Sequence, residues 1–285
     1  MSDGIFSIGV SGLAAAQAGL LTTGHNISNA NTVGYHRQSI KQSAVAPIST
    51  SGGFLGQGVQ VNTVVRAYSQ FLDTQLAQAQ SQAGYYTAYH AQLAQIDNTV
   101  ADVNTGVSPA LQDFFSALQD VATNPASLPS RQSLLSTGAA LAARFNTLAT
   151  NFNDLRSGVN GQITSTVAEI NSYSQQIADL NGRIMAVQIN PNQPPNDLLD
   201  ARDALVSQLN QLVGTSVITQ TDGSINVVIG NGQNLVVGRQ AMSLTAVPGL
   251  DDPRRTDVGY VANGNTVLLN QGSLQGGSLG RLLAF

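Results

Sequence analysis

The chain has 285 residues and only 10% charged side chains, with 12 Lys and Arg against 16 Asp and Glu and a net charge of -4. This sparse, slightly acidic charge excludes the basic footprint of a nucleic-acid binder. The absence of Cys excludes disulfides, zinc thiolates and thiol nucleophiles.

In chain order, residues 4–30 are predicted to be helical. Phe6, Val10, Leu13, Leu20 and Ile27 form an a/d seam with gaps at Gln17 and Gly24. Gly9, Gly12, Gly19 and Gly24 each cost roughly 1 kcal/mol relative to Ala, so this helix is expected to form only against partners. Residues 29–32 end it, and Gly34 supplies a positive φ. Residues 38–42 and 57–64 alternate polar and apolar side chains, as half-buried strands do. With residues 49–53 as the loop between them, they read as a β-hairpin or extended arm.

Helix is predicted again from Tyr68 to Val103, then from Ser108-Pro109 to Val121. The strongest pattern follows. Leu141, Phe145, Leu148, Phe152, Leu155, Val159, Ile163, Val167, Ile170, Tyr173, Ile177, Leu180, Ile184 and Val187 advance by about 3.5 residues per step, between a coiled coil and a straight helix. A helix over 131–188 would be about 87 Å long at ~1.5 Å per residue. It must pack along other long helices, with a kink expected near Gly158 and Gly161.

Residues 190–195 read as a turn, after which Asn196 or Asp197 caps a helix whose apolar face is Leu198, Leu205, Leu209 and Leu212. Beyond Thr215 the chain is β. Residues 217–219, 225–229 and 235–237 are separated by Asp222-Gly223 and Gly230-Asn231-Gly232, and Asn263-Gly264 lies between two further strands. The last residues look like a helix that is only starting when the chain stops, so truncation is expected.

Nothing in the sequence marks a catalytic site or a cofactor. HExxH, GxSxG, P-loop and EF-hand patterns are absent. His25, His36 and His90 could converge on a metal, although isolated His residues usually sit at surfaces or helix ends. Asp197, Asp200 and Asp203, with Arg202 among them, could serve acid/base chemistry; alternatively they are acids favoured at a helix N-terminus. Tyr85, Tyr86 and Tyr89 either stack on a ligand or pack in the helix seam, and residues 251–255 form a solvated charged turn. No stretch approaches 18 consecutive apolar residues, so no membrane insertion is expected. The start Met1-Ser2-Asp3-Gly4 lacks the basic region of a cleaved secretory signal.

The segment Gly24-His25-Asn26-Ile27-Ser28-Asn29-Ala30-Asn31-Thr32-Val33-Gly34-Tyr35-His36-Arg37-Gln38 resembles the N-terminal signature of the flagellar axial proteins of rod, hook and junction. The Arg37-Gln38 pair is most similar to the hook-associated protein 1 subfamily. So is the run Asn196-Asp197-Leu198-Leu199-Asp200-Ala201-Arg202-Asp203, followed by Asp222-Gly223-Ser224-Ile225. Family members usually have Pro where this chain has Val33, which loses a rigid stop after the helix.

The resemblance implies a mainly α fold with a separate β domain: long antiparallel helices in a coiled-coil-like rod, and a small β-rich outer domain. Expected segments are an axial helix (1–33), an arm (34–67), a long-helix rod (68–214), a β-rich domain (215–276) and a further helical start (277–285). Leu13, Leu20, Asn26, Ile27, Asn29, Asn31, Thr32, Gly34, Tyr35, Arg37 and Gln38 would form the assembly interface. Leu141, Phe145, Leu148, Phe152, Leu155, Ile170, Ile177, Leu180 and Ile184 would form the rod seam. Asn196, Asp197, Leu198, Asp200, Arg202 and Asp203 would mark the helix-to-β transition.

The implied role is that of a non-enzymatic subunit joining hook to filament, exported to the extracellular flagellum without a cleaved signal. Its partners would be copies of itself in a ring, the hook protein on one side, the next hook-associated junction protein on the other, and an export chaperone for the missing C-terminus. Another axial component (hook or distal rod), or a secreted adhesin or hydrolase on a coiled-coil stalk, remains the alternative.

Overall fold

The computed structural model describes residues 2–100, 107–187, 193–230, 232–262, 264–270, 272 and 274–285. The expected helix ends at Val103 and at residue 188, the first half of the 190–195 turn, and the turn residues Asn231 and Asn263 lie outside the described residues.

The first helix, α1 (Ser2–Ser28), leads into the strands β1 (Gln38–Ala44), β2 (Ile48–Thr50), β3 (Gly53–Leu55) and β4 (Val59–Arg66). The antiparallel pair β1–β4 forms an arm whose base is Gln38 opposite Arg66, with a register shift between Lys41 and Gln42. Where a loop was expected, β2 and β3 continue the arm as a second short hairpin. Thr50 Oγ1 donates to Gly53 O at 2.7 Å and closes its tip, and Gly53 takes the positive φ of 117° that Gly tolerates.

The helices α2 (Gln70–Val100), α3 (Val107–Thr123) and α4 (Leu128–Val187) follow. The 60 residues of α4 pass through Gly158 and Gly161 without interruption. Helix α5 (Asn196–Leu212) has Pro195 as its N-cap and no side-chain cap hydrogen bond. The expected caps, Asn196 and Asp197, instead spend their side chains on the arm, as described below.

After α5 the strands make two sheets. One is ordered β5–β6–β7–β8, with β5 (Thr215–Thr219), β6 (Ile225–Ile229), β7 (Gln233–Val237) and β8 (Gln240–Ala241). The other contains β9 (Ser243–Pro248), β10 (Thr256–Ala262) and β11 (Asn265–Leu268), with β10 in the middle. A short helix, α6 (Gly277–Leu283), ends the chain.

The chain separates into two compact units. Met1–Ser81 with Glu169–Ser243 make one, and Gln82–Ala168 with Leu244–Phe285 make the other. The units therefore cut across the segments expected from sequence, dividing both α2 and α4, and each receives one of the two later sheets. In the first unit the buried apolar side chains include Ile170, Ile177 and Ile184 of α4, Leu209 of α5, Val213, and Val227, Ile229, Leu235 and Val236 of the sheet. In the second they include Ala117, Val159, Ile163, Val167, Val258, Leu274 and Leu279.

Each unit also has an Asn on α4 that bonds to its sheet through both ends of the amide. Asn181 donates to Ile225 O at 2.8 Å and Gly238 O at 2.7 Å, and accepts from Ile225 N. Asn160 donates to Arg254 O at 2.8 Å and accepts from Thr256 N at 3.0 Å. These bonds satisfy strand-end backbone groups that would otherwise be costly where they are covered.

The first half of the expected rod seam is not fully buried. Leu141, Leu148 and Leu155 are half-buried, and Phe145 and Phe152 are exposed. In the second half, Ile170, Ile177, Leu180 and Ile184 are buried. Within Gly4–Ser28 of α1 an 18-residue stretch reaches a mean hydropathy of 1.5, long and apolar enough to cross a bilayer by length and composition alone. Ser, Thr and Gly residues interrupt every apolar run, which is why counting consecutive apolar residues misses it.

Candidate assembly site

Helix α1 lies on its own arm by its small-residue face. Ser11, Ala15, Ala18, Gly19 and Thr22 are covered, recurring at helical spacing, and His25 and Asn26 continue the covered side at the C-terminal end. Gly19 sits within 3.6 Å of Ile40 Cδ1 on β1, measured from the Cβ it lacks. Ser11 Oγ accepts from Val59 N on β4 at 3.2 Å. Large side chains on this face would hold the strands away. The opposite face carries the large apolar side chains, and Leu13, Leu20 and Ile27 are 61%, 74% and 72% exposed. Ile5, Phe6, Val10 and Leu21 extend the same surface.

At the C-terminal end of α1 the signature residues fold back on the chain. Asn26 Nδ2 donates to Gln38 O at 2.8 Å, while Asn26 Oδ1 accepts from Gln38 N at 2.8 Å and from Tyr35 Oη at 2.7 Å. Asn26 thus behaves as one more residue of the β ladder. His25 Nδ1 lies 3.0 Å from Tyr35 Oη, and the two rings meet edge to face. Asn29 donates to His25 O, and Thr32 Oγ1 reaches Asn29 Oδ1. Within the chain, Asn26, Asn29, Tyr35 and Gln38 thus bond to one another and to the adjoining backbone. Asn31 and Arg37 are exposed, and the Arg37 guanidinium has no partner among the described residues.

The second signature segment meets the first. Helix α5 presents Asn196, Asp197, Asp200, Asp203 and Ala204 along one face, spaced by turns of the helix. Asp200 Oδ2 accepts from the His36 backbone N at 2.9 Å, and Asp200 Oδ1 lies 2.8 Å from His36 Nδ1. Arg66 Nη1 bridges Asp200 Oδ1 at 2.7 Å and Asp203 Oδ2 at 2.6 Å. Gln38 Nε2 donates to Asp197 Oδ1 at 2.8 Å, and Asn196 Nδ2 donates to Val64 O at 2.9 Å. Gly34, with φ of 82°, closes the contact: a Cβ there would lie 2.8 Å from Ala204 Cβ.

Arg202 points to the other side of α5. It donates through Nη1 to Asn181 Oδ1 at 3.1 Å and Gly223 O at 2.7 Å. This ties α5 to α4 and to the β5–β6 turn.

The electrostatics follow from burial and pairing. Burial opposes ionisation of Arg66, but the charge of Asp203 and hydrogen bonds to Asp200 and Asp203 outweigh it and hold the guanidinium above its ordinary value. Burial pulls Arg202 down. The Tyr68 hydroxyl is pushed up to about 12, first by burial and then by Asp203 and Asp73. Its ring lies 4.3 Å from the Arg66 guanidinium carbon and stacks beneath it.

Asp200 is held by His36 and Arg66, and Asp203 by Arg66. Among the described residues no group of three His, Cys, Asp or Glu is placed to hold a metal. His25 and His36 do lie against α5, whereas His90 contacts Tyr89 in the other unit.

Sequence reasoning missed Arg66, His36, Tyr68, Asn181 and Ala204 as members of this network. The available signal was scarcity. In a chain with 12 basic side chains, three acids on one helix face require a cation brought from elsewhere.

Residues 6–36, which span most of α1 and the turn after it, match the family model of the flagella basal body rod protein. Residues 93–285 match that of the flagellar hook-associated protein FlgK helical domain. The chain belongs to the FlgK family of flagellar hook-associated proteins.

It is 42% identical over 279 residues to flagellar hook-associated protein 1 of Salmonella typhimurium (strain LT2), covering 97% of this chain and 50% of that one. It is 39% identical over 278 residues to the Escherichia coli K12 protein of the same name, covering 97% and 51%. The solved flagellar hook junction protein FlgK from Burkholderia pseudomallei superposes with a TM-score of 0.68 at 38% identity, over 74% of this chain and 38% of that one. The chain spans about half the length of the curated relatives it matches.

Proposed function

We propose that this chain is a non-enzymatic structural subunit of the flagellum that joins hook to filament by self-assembly. The observation that carries this reading is the inversion of α1: small residues face its own arm, and large apolar residues face outward. Each of those side chains contributes ~1.5–3 kcal/mol when fully covered. A monomer leaves that contribution unused, and sister helices in a ring can supply it. The low charge of the surface favours the same outcome, because little charge has to be desolvated between copies.

Hook protein on one side and the next hook-associated junction protein on the other are the partners this role requires. The relatives' names support association with the hook; the second partner, and a place in the extracellular flagellum reached without a cleaved signal, are part of the same proposal. Seam residues Leu141, Phe145, Leu148, Phe152 and Leu155, left partly open within the chain, belong to the same proposal as contacts between rods. Arg37 and Asn31 are the polar groups left for a neighbour at the base of α1.

The membrane reading of α1 is disfavoured by its neighbours. A spanning α1 would carry β1 and β4, packed along it from Ser11 to Asn26, into hydrocarbon. There a two-stranded arm exposes unpaired backbone edges, which lipid does not tolerate.

The test is electron microscopy of cells whose chromosomal copy carries Leu13→Asp and Leu20→Asp. Hooks without filaments are expected. Normal filaments with this double variant would sink the proposal.

A further inference from the structure

None of the arm residues from 38 to 66 is fully buried, and a two-stranded ribbon is marginal by itself. The arm therefore takes its direction from what holds its base. That base meets α5 through Arg66, His36 and Gln38 on one side, and Asp197, Asp200 and Asp203 on the other. Apolar contact there includes the close approach of Gly34 to Ala204. Such an interface is directional, because charged hydrogen bonds fix angles where apolar contact does not.

Helix α1 moves with the arm, since Asn26 is bonded into the β ladder at Gln38 and Ser11 to Val59. On the far side of α5, Arg202 and Asn181 bind the helix to α4 and the β5–β8 sheet.

We propose that the carboxylate face of α5 is a latch. It sets the direction of the arm, and with it the outward face of α1, relative to the block made by residues 169–187, α5 and the β5–β8 sheet. The two signature segments are then the two halves of one intramolecular device. Releasing Arg66 and His36 from Asp200 and Asp203 frees the arm as a unit while the block stays folded.

The chain contains no Cys, so Lys41→Cys on β1 and Gln208→Cys on α5, both exposed, accept spin labels in the full chain. Pulsed electron resonance should find a single narrow distance. Asp200→Asn with Asp203→Asn, and separately Arg66→Met, should lose it to a broad distribution, while Arg66→Lys retains most of it. Hydrogen exchange over residues 170–184 and 225–237 should stay slow in every variant. An unchanged narrow distance in Arg66→Met and in the double variant would overturn the latch. So would broadening that appears only together with fast exchange in the block, because these residues would then be holding the block itself together. The measurement is made on unassembled chain, so its outcome is separate from whether copies polymerise.

Discussion

Along α4, Val159, Ile163, Val167, Ile170, Ile177 and Ile184 are buried within the chain, whereas along α1 Phe6, Val10, Leu13, Leu20 and Ile27 are exposed. Both stripes follow the same helical repeat. They differ in what the opposite face offers. The small face of α1 lets strand backbone approach, so the arm settles there and leaves the large side chains uncovered. In the second half of α4 the small residues Ser174 and Ala178 are buried on the same side as the Ile positions, which find cover among the other buried side chains of the units. An apolar stripe therefore marks where burial is available, and the residues beside it decide whether the chain itself or another molecule supplies the cover. The first half of α4 lies between these cases, with Phe145 50% exposed.

Substitutions that place a charge in each stripe test this contrast most strongly. Ile177→Asp buries an unpaired carboxylate at a fully covered position, and denaturant titration should find several kcal/mol of lost stability or no folded protein. An unaltered midpoint would mean that the α4 stripe is not a core. Gly34→Ala comes next. It strains a φ of 82° and drives a Cβ against Ala204, so a loss of about 1–3 kcal/mol is expected in the same titration.

A smaller effect is expected from acid. Asp222 is held below its usual value of 3.8 by hydrogen bonds from the Ser224 hydroxyl and backbone N–H. A depressed carboxyl stabilises the fold above its unfolded value, and that contribution is lost as pH falls through the folded value. Ser224→Ala should therefore flatten the fall of stability below about pH 4, as read from acid titrations by circular dichroism. An acid profile identical to that of the parent would remove Asp222 from the account. Leu20→Asp should change the unfolding midpoint of the free chain least of all, within about 0.5 kcal/mol. A large loss there would put the α1 stripe inside the fold and erase the contrast.

Much of this was legible in order along the chain. The helices, the arm and the hairpin turns at Asp222-Gly223 and around Gly230 were expected from periodicity and turn chemistry, and α4 runs from Leu128 to Val187 against an expected 131–188. Local signals carry that information because helix and strand periods are written in neighbouring residues. Helix caps were less legible. Asn196 and Asp197 have the chemistry of N-caps, but a competing use of the same side chains, on Val64 O and Gln38, prevails. Strands β8 and β9 escaped notice because they carry weak alternation, and the β2–β3 hairpin because Ser and Gly dominate its tip.

The sequence by itself determined the elements, the apolar stripes and the scarcity of charge. Only the tertiary structure decided which stripe is covered and which acids meet which cations. The physical reason is that periodicity specifies a face without specifying its partner. Arg66 and Asp200 are 134 residues apart, and no local rule pairs them. Their meeting depends on where the arm returns to α5, and on a glycine at position 34 small enough to let it come close.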